Sequence, residues 1–301
     1  MIRPIRAAVL CSAIALLDGC VTPTGQSSSQ KPGASSSQGV SKFLDQVLPD
    51  SGVKQVLQGA TQVAHDMTPE EERQLGQEMS AVLLGARPLV KNAQVQRYLN
   101  QVGLWIALQS DQPALKWRFG MIDTPNMNAF AAPGGYVFIT RGLFLRLRNE
   151  AELAGVLGHE IGHVIKRHHV NAVRKQGLGK IAFGLAQAQA EKSGSLGGVA
   201  ATNLFKGLYA SGLDKADEYE ADRVGMVLAA RAGYTPFGLP SVLQMYAAAS
   251  GDGALDLLFA THPSANDRLN TLDAKMGSKF DSYVNAVMDV PRLKKMQQLV
   301  R

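Results

Sequence analysis

Two histidines four residues apart, with a glutamate beside the first, constrain this chain more than any other feature: Gly158-His159-Glu160-Ile161-Gly162-His163. Asn149 is a natural cap for a long helix, expected to run to about Val173. Residues four apart on a helix share a face, so His159 and His163 can offer two imidazoles to one cation. Zinc suits two neutral imidazoles and a carboxylate, with a fourth position left open for water. Glu160 projects beside that open position, placed to act as a general base. The only cysteines are Cys11 and Cys20, so no thiolate is available further along the chain. A Cys-ligated zinc and a cysteine nucleophile are both excluded.

Two routes could supply the remaining ligand. His169 follows His163 by six residues, the spacing of a metzincin third histidine, but Lys166 stands where that motif turns on a glycine. A helix continuing through Lys166 would carry His169 about 9 Å along its axis. His168 and His169 are therefore expected in solvent, beside Arg167, Arg174 and Lys175. The other route is Glu218, in Asp217-Glu218-Tyr219-Glu220-Ala221-Asp222. Glu218 and Asp222 are again four apart on a helix expected from Leu213 to Ala232. One can bind the metal while the other accepts the free N–H of a ligand histidine. Glu220 points about 200° away around the helix.

The N-terminus has the composition of an address. Arg3 and Arg6 precede an apolar stretch, Ala7 to Leu17, of signal-peptide length. It ends in Leu17-Asp18-Gly19-Cys20, which resembles a bacterial lipobox and makes Cys20 the expected lipid attachment point. Val21 rather than aspartate follows, which favours the outer membrane as destination. From Thr22 to Gly39 the chain is Ser, Gln, Gly, Thr and Pro, a tether by composition. The expected organisation is a signal peptide over 1–19, a lipidated tether over 20–40 and one domain over 41–301. Mean hydropathy is −0.04, and no uncharged apolar run approaches the roughly 20 residues of a spanning helix. A polytopic membrane protein is excluded. The net charge of +6 is spread along the chain without a nucleic-acid-binding motif, so nucleic acid is not an expected partner.

Elsewhere the pattern is mainly helical. Thr68-Pro69-Glu70-Glu71 signals a helix start with a capping box. Val95, Leu99, Val102 and Ile106 lie at helical spacing after Asn92. Trp117 to Ile122 and Tyr136 to Thr140 read as strands joined by a turn-rich segment. Gln176 to Gly212 reads as two weakly amphipathic helical halves. Gly233 closes the helix that carries Glu218, and further helices follow Pro236 and Pro263. The fold class expected is α+β, mostly helical, with a small β-sheet beside the metal-binding helix.

Taken together, H-E-x-x-H and E-x-x-A-D resemble the gluzincin zinc-peptidase family that includes HtpX, Oma and the CAAX prenyl proteases. Asn128-Ala129-Phe130-Ala131, Pro133-Gly134-Gly135 and Thr140-Arg141-Gly142-Leu143 resemble the segment preceding its zinc helix. Thr261-His262-Pro263, with Arg268 six residues after the histidine, resembles its C-terminal motif. The resemblance spans Thr68 to Leu272 and implies a zincin-type metalloprotease domain with one Zn2+ per chain. It implies His159, His163 and Glu218 as ligands, Glu160 as catalytic base and Asp222 as support for a ligand. His262 is placed near the metal, filling its open position or steadying an oxyanion; Arg268 supports the same charge or pairs with a carboxylate.

The lipobox and the absence of spans are similar to the periplasmic LoiP/BepA-type lipoprotein branch. That implies an endopeptidase at the periplasmic face of the outer membrane, acting on unfolded or misassembled envelope polypeptides, with outer-membrane assembly machinery as a partner. Tyr136 to Thr140 is expected at a sheet edge where an extended substrate adds as a strand. A zinc-containing chaperone with little proteolysis needs the same ligands, with His262 blocking the metal. A scaffold lipoprotein would need no zinc.

Overall fold

A computed structural model describes residues 67–175, 213–249, 262, 264–283 and 285–301, all within one compact unit. The expected signal peptide, Cys20, the tether, Gln176 to Gly212, Thr261 and Pro263 lie outside the described residues. Helix α1 (Pro69–Ala86) starts on the expected capping box. Thr68 Oγ1 accepts from the Glu71 N–H at 3.3 Å, and Glu71 Oε2 accepts from the Thr68 N–H at 2.7 Å. Helix α2 (Ala93–Ala107) is capped by Asn92, and it buries Val95, Leu99, Val102 and Ile106 as their spacing requires.

Strands β1 (Arg118–Ile122), β2 (Ala129–Ala132) and β3 (Tyr136–Thr140) form one sheet in the order β1-β3-β2. β1 runs parallel to β3, with Gly120 opposite Phe138, and β2 runs antiparallel to it, with Phe130 opposite Phe138. Two expectations are corrected here. The segment read as turn-rich contains β2, a strand of four residues, three of them alanine, and alanine is a poor strand signal. With β2 alongside, Tyr136 to Thr140 is the central strand and all five of its residues are buried. The edges are β1 and β2, and β2 is the one beside the metal-binding helix.

After the short α3 (Arg141–Arg146) comes the helix that organises the molecule, α4 (Glu150–Ile165). Asn149 caps it, accepting from the Glu152 N–H at 2.9 Å. It does not run to Val173. It stops at Ile165, Arg167 takes a left-handed φ of 58°, and a separate helix α5 (His168–Lys175) begins. A non-glycine residue in that conformation costs roughly 1–2 kcal/mol, and tertiary contacts offset it. Arg167 donates to the Met67 carbonyl at 3.0 Å and pairs with Glu72 at 2.5 Å.

Helix α6 (Lys215–Arg231) packs along α4, and Gly233 at φ 88° ends it as expected. The approach is close because glycines face each other. A Cβ on Gly158 would lie 2.8 Å from the Gly225 carbonyl oxygen, and one on Gly225 would lie 2.7 Å from the His159 nitrogen. Only hydrogen fits between these backbones. That contact sets the distance between the histidine face of α4 and the carboxylate face of α6. Helices α7 (Gly238–Ala248), α8 (Ala265–Met276), a 3-10 turn (Gly277–Tyr283) and α9 (Val290–Gln298) complete the described residues. No described helix is long and apolar enough to cross a membrane.

The start of α4 is fixed by a buried cluster. Glu150 is inaccessible to solvent and accepts from the Tyr98 and Tyr234 hydroxyls at 2.6 Å each. Arg292, from α9, adds a bond from Nε at 2.6 Å and a second through Nη2. The Glu150 N–H donates to the Met288 carbonyl at 2.7 Å. Burial, then the nearby Asp289 charge, pushes the Tyr234 hydroxyl up to about 12. Tyr98 is raised as well, chiefly by burial.

Candidate metal centre

His159 and His163 project from one face of α4, as their spacing requires, and their Nε2 atoms stand 2.9 Å apart. Glu218 comes from α6 to meet them. Its Oε2 lies 3.6 Å from His159 Nε2 and its Oε1 lies 3.4 Å from His163 Nε2. His262 arrives from the far end of the sequence, with Nδ1 2.8 Å from the Glu218 carboxylate. These four residues offer donor atoms that all lie within 4.8 Å of one another, so they can hold a metal ion. Two backbone-anchored helices and one loop supply the set, and three of its four members are buried.

The electrostatics suit a cation. Burial alone would raise Glu218, but His262 and then Arg268 outweigh it and hold its carboxyl down at about 2. Asp222 is also held well below the carboxylate range, because Arg268 outweighs its burial. His163 is pushed well below the usual imidazole value by burial and by the neighbouring His159 and His169, so it keeps the neutral form that ligates. Arg268 pairs with Asp222, so the ionised Glu218 carboxylate is the negative charge that faces the histidines, where a cation would meet it.

Asp222 stands where the sequence put it. His159 Nδ1 lies 2.9 Å from Asp222 Oδ1, which fixes the imidazole with its Nε2 toward the cluster. Arg268, almost fully buried, pairs with the same carboxylate through Nε at 2.8 Å and Nη2 at 2.5 Å. It also reaches within 3.6 Å of Glu218. Of the two expected roles, carboxylate pairing is the one its contacts display. Glu220 lies away from the cluster, paired with Lys166 at 3.2 Å.

Glu160 is 2% exposed, and burial pushes its carboxyl up, against the pull of His159 and His262. It lines a cavity of about 20 Å³ with Ala129, His159, Tyr246, His262 and Arg268. That is room for about one water. A carboxylate with a raised affinity for protons, against a metal-binding cluster and an edge strand, can take a proton and return it.

His168 and His169 correct the sequence reading. They are not in solvent: their exposures are 2% and 7%. The reversal at Arg167 turns both back toward α4, with the His169 ring 5.6 Å and the His168 ring 5.0 Å from that of His163. Neither belongs to the converging donor set, which takes Glu218. The sequence reading missed this second layer because it assumed a continuous helix. Its signal was a histidine pair placed directly after the metal-binding turn.

A helix with H-E-x-x-H, an antiparallel edge strand beside it and an acidic helix across the cleft define a zincin-type domain, the fold class of many metallopeptidases. The chain belongs to peptidase family M48, whose sequence profile matches residues 93–276. It is 29% identical over 233 residues to the beta-barrel assembly-enhancing protease of Escherichia coli (strain K12), covering 74% of this chain and 45% of that protein. It is 30% identical over 214 residues to the mitochondrial metalloendopeptidase OMA1 of Schizosaccharomyces pombe, covering 69% of this chain and 62% of the relative. A third match, OMA1 of Arabidopsis thaliana, is 32% identical over 166 residues, covering 55% and 33%. The chain spans about half the length of the beta-barrel assembly-enhancing proteases it matches.

Proposed function

We propose that this chain is a zinc-dependent endopeptidase of the bacterial envelope that hydrolyses unfolded or misassembled polypeptides. The observation that carries the proposal is Glu160, buried with a raised proton affinity against the converging His159, His163 and Glu218. The donor set fits zinc: two imidazoles and a carboxylate, with no cysteine among the described residues. His159, His163 and Glu218 would hold the ion. When bound there, zinc supplies Lewis acidity, polarising the scissile carbonyl and acidifying water.

The chain's own groups do the rest. Glu160 takes a proton from the water that adds to the carbonyl carbon, then gives it to the amide nitrogen as the C–N bond breaks. Asp222 and Arg268 hold His159 in orientation. Ala129 of strand β2 lines the cavity, so a substrate is proposed to lie in extended form alongside that strand. Such pairing favours unfolded chains over folded surfaces.

Cys20 is the proposed lipid anchor and the periplasmic face of the outer membrane the proposed location, on the strength of Leu17-Asp18-Gly19-Cys20 and the apolar run before it. Envelope proteins as substrates, and outer-membrane assembly machinery as partner, are supported by similarity to a relative named a beta-barrel assembly-enhancing protease.

A second reading draws on His262, which supplies a fourth donor to the cluster. With His262 on the metal, the protein would act as a zinc-containing chaperone with little turnover. Degradation of a reduced, unfolded protein by wild type, Glu160→Gln and His262→Ala separates the two. The peptidase is supported by cleavage in wild type that Glu160→Gln abolishes. Cleavage unchanged in Glu160→Gln would sink the mechanism, and none in wild type or His262→Ala would favour the chaperone.

A further inference from the structure

We infer that His168 is the positioning residue for His163, accepting a hydrogen bond at its own Nδ1 that directs His163 Nε2 toward the metal. The inference rests on the zinc reading above and assigns a role to a residue outside the ligand set. His163 has two ring nitrogens in two different settings. Nε2 faces the cluster, 2.9 Å from His159 Nε2 and 3.4 Å from Glu218. Nδ1 faces away from it and lies 2.9 Å from His168 Nδ1. A neutral imidazole that gives its Nε2 lone pair to a metal carries its proton on Nδ1. Among the described residues that nitrogen's hydrogen-bond partner is His168 Nδ1, which then accepts the bond from that proton.

His168 then carries its own proton on Nε2, and acidic groups wait there. Glu220 Oε2 lies 3.5 Å from His168 Nε2 and Asp217 Oδ1 lies 3.8 Å from it. The chain of dependence runs from the α6 carboxylates through His168 to His163 and ends at the donor atom. The two ligand histidines are therefore oriented by different means. His159 rests on a carboxylate that Arg268 neutralises, and His163 rests on a second imidazole.

The backbone is shaped for this contact. The left-handed Arg167 places His168 back over His163 five residues on, and Glu72 and the Met67 carbonyl hold that turn from α1 and the residue before its cap. A continuous helix would have sent His168 elsewhere. A buried imidazole in a strained turn, donor to acceptor with a ligand, is a costly way merely to fill space.

The test compares wild type, His168→Phe and His168→Asn, each full length, by competition of zinc alone against a chromophoric chelator. The asparagine Oδ1 can occupy the place of His168 Nδ1 as an acceptor, whereas phenylalanine keeps the volume and removes the acceptor. Loss of a group supporting a metal ligand weakens binding roughly 10–100-fold. His168→Phe is expected to show that loss, with His168→Asn recovering most of it. A space-filling role reverses the order, with phenylalanine the better replacement, and that result overturns the inference. Zinc binding unchanged in both variants overturns it too and leaves the peptidase reading intact; no zinc on wild type overturns both. Should His168→Phe fail to fold, 15N-histidine NMR of the zinc-loaded wild type decides. A proton on His163 Nδ1 coupled to an unprotonated His168 Nδ1 is expected, and a proton on His168 Nδ1 contradicts it.

Discussion

Helix α4 carries three buried glutamates, Glu150, Glu152 and Glu160, and the first and last are handled in opposite ways. Glu150 sits at the helix N-terminus, where the dipole favours negative charge, and receives two tyrosine hydroxyls and the Arg292 guanidinium. Glu160, ten residues later, is as deeply buried, yet among the described residues no salt bridge is made to it. Its carboxyl is pushed up by burial, beside histidines and a cavity the size of a water. One glutamate is satisfied and holds the helix in place. The other is left reactive, and the contrast locates chemistry at the second end.

Substitutions at the two ends should therefore part company. The largest effect is expected for Glu160→Gln, which should cut peptide hydrolysis by about 10²–10⁴ while zinc content and thermal melting stay at wild-type levels. Steady-state cleavage and a melt on the same sample check both halves. The reverse is expected of Glu150→Leu. It strands two buried hydroxyls and costs about 3 kcal/mol of stability, moderated because Arg292 is half-exposed. Urea unfolding measures that cost, and the folded fraction should still bind zinc. If Glu150→Leu lost zinc without losing stability, the division between the ends would be wrong.

A finer probe lies between them. Asp222→Asn keeps the shape of the side chain but weakens its hold on His159, so zinc affinity should fall about 10–100-fold, read by chelator competition. The smallest effect is in pH. Tyr234 is raised to about 12 by burial, and an unfolded tyrosine ionises near 10. The folded form keeps its proton longer, so this stabilisation is complete below about pH 10 and is lost as pH rises toward 12. A stability profile over that range should slope downward, and less steeply in Tyr234→Phe.

What could be read from the sequence follows a physical division. The His159 and His163 pairing and the shared face of Glu218 and Asp222 were legible because helix geometry alone sets them. The caps at Thr68, Asn92 and Asn149 were legible for the same local reason. The Arg167 reversal was not, because its left-handed backbone is held by Met67 and Glu72, about a hundred residues earlier. The burial of His168 and His169 follows from that turn and was hidden with it. Strand β2 was masked by its alanines, and only pairing with β3 makes it a strand. The Glu150 cluster joins partners 52, 84 and 142 residues away, which no local pattern encodes.

The most direct test of the metal centre is zinc content per chain in wild type, Glu218→Ala and Glu220→Ala, purified under the same conditions. One zinc per chain is expected in wild type and in Glu220→Ala, with nearly all of it lost from Glu218→Ala. Zinc absent from wild type, or retained by Glu218→Ala and lost from Glu220→Ala, would contradict the site built here from His159, His163 and Glu218.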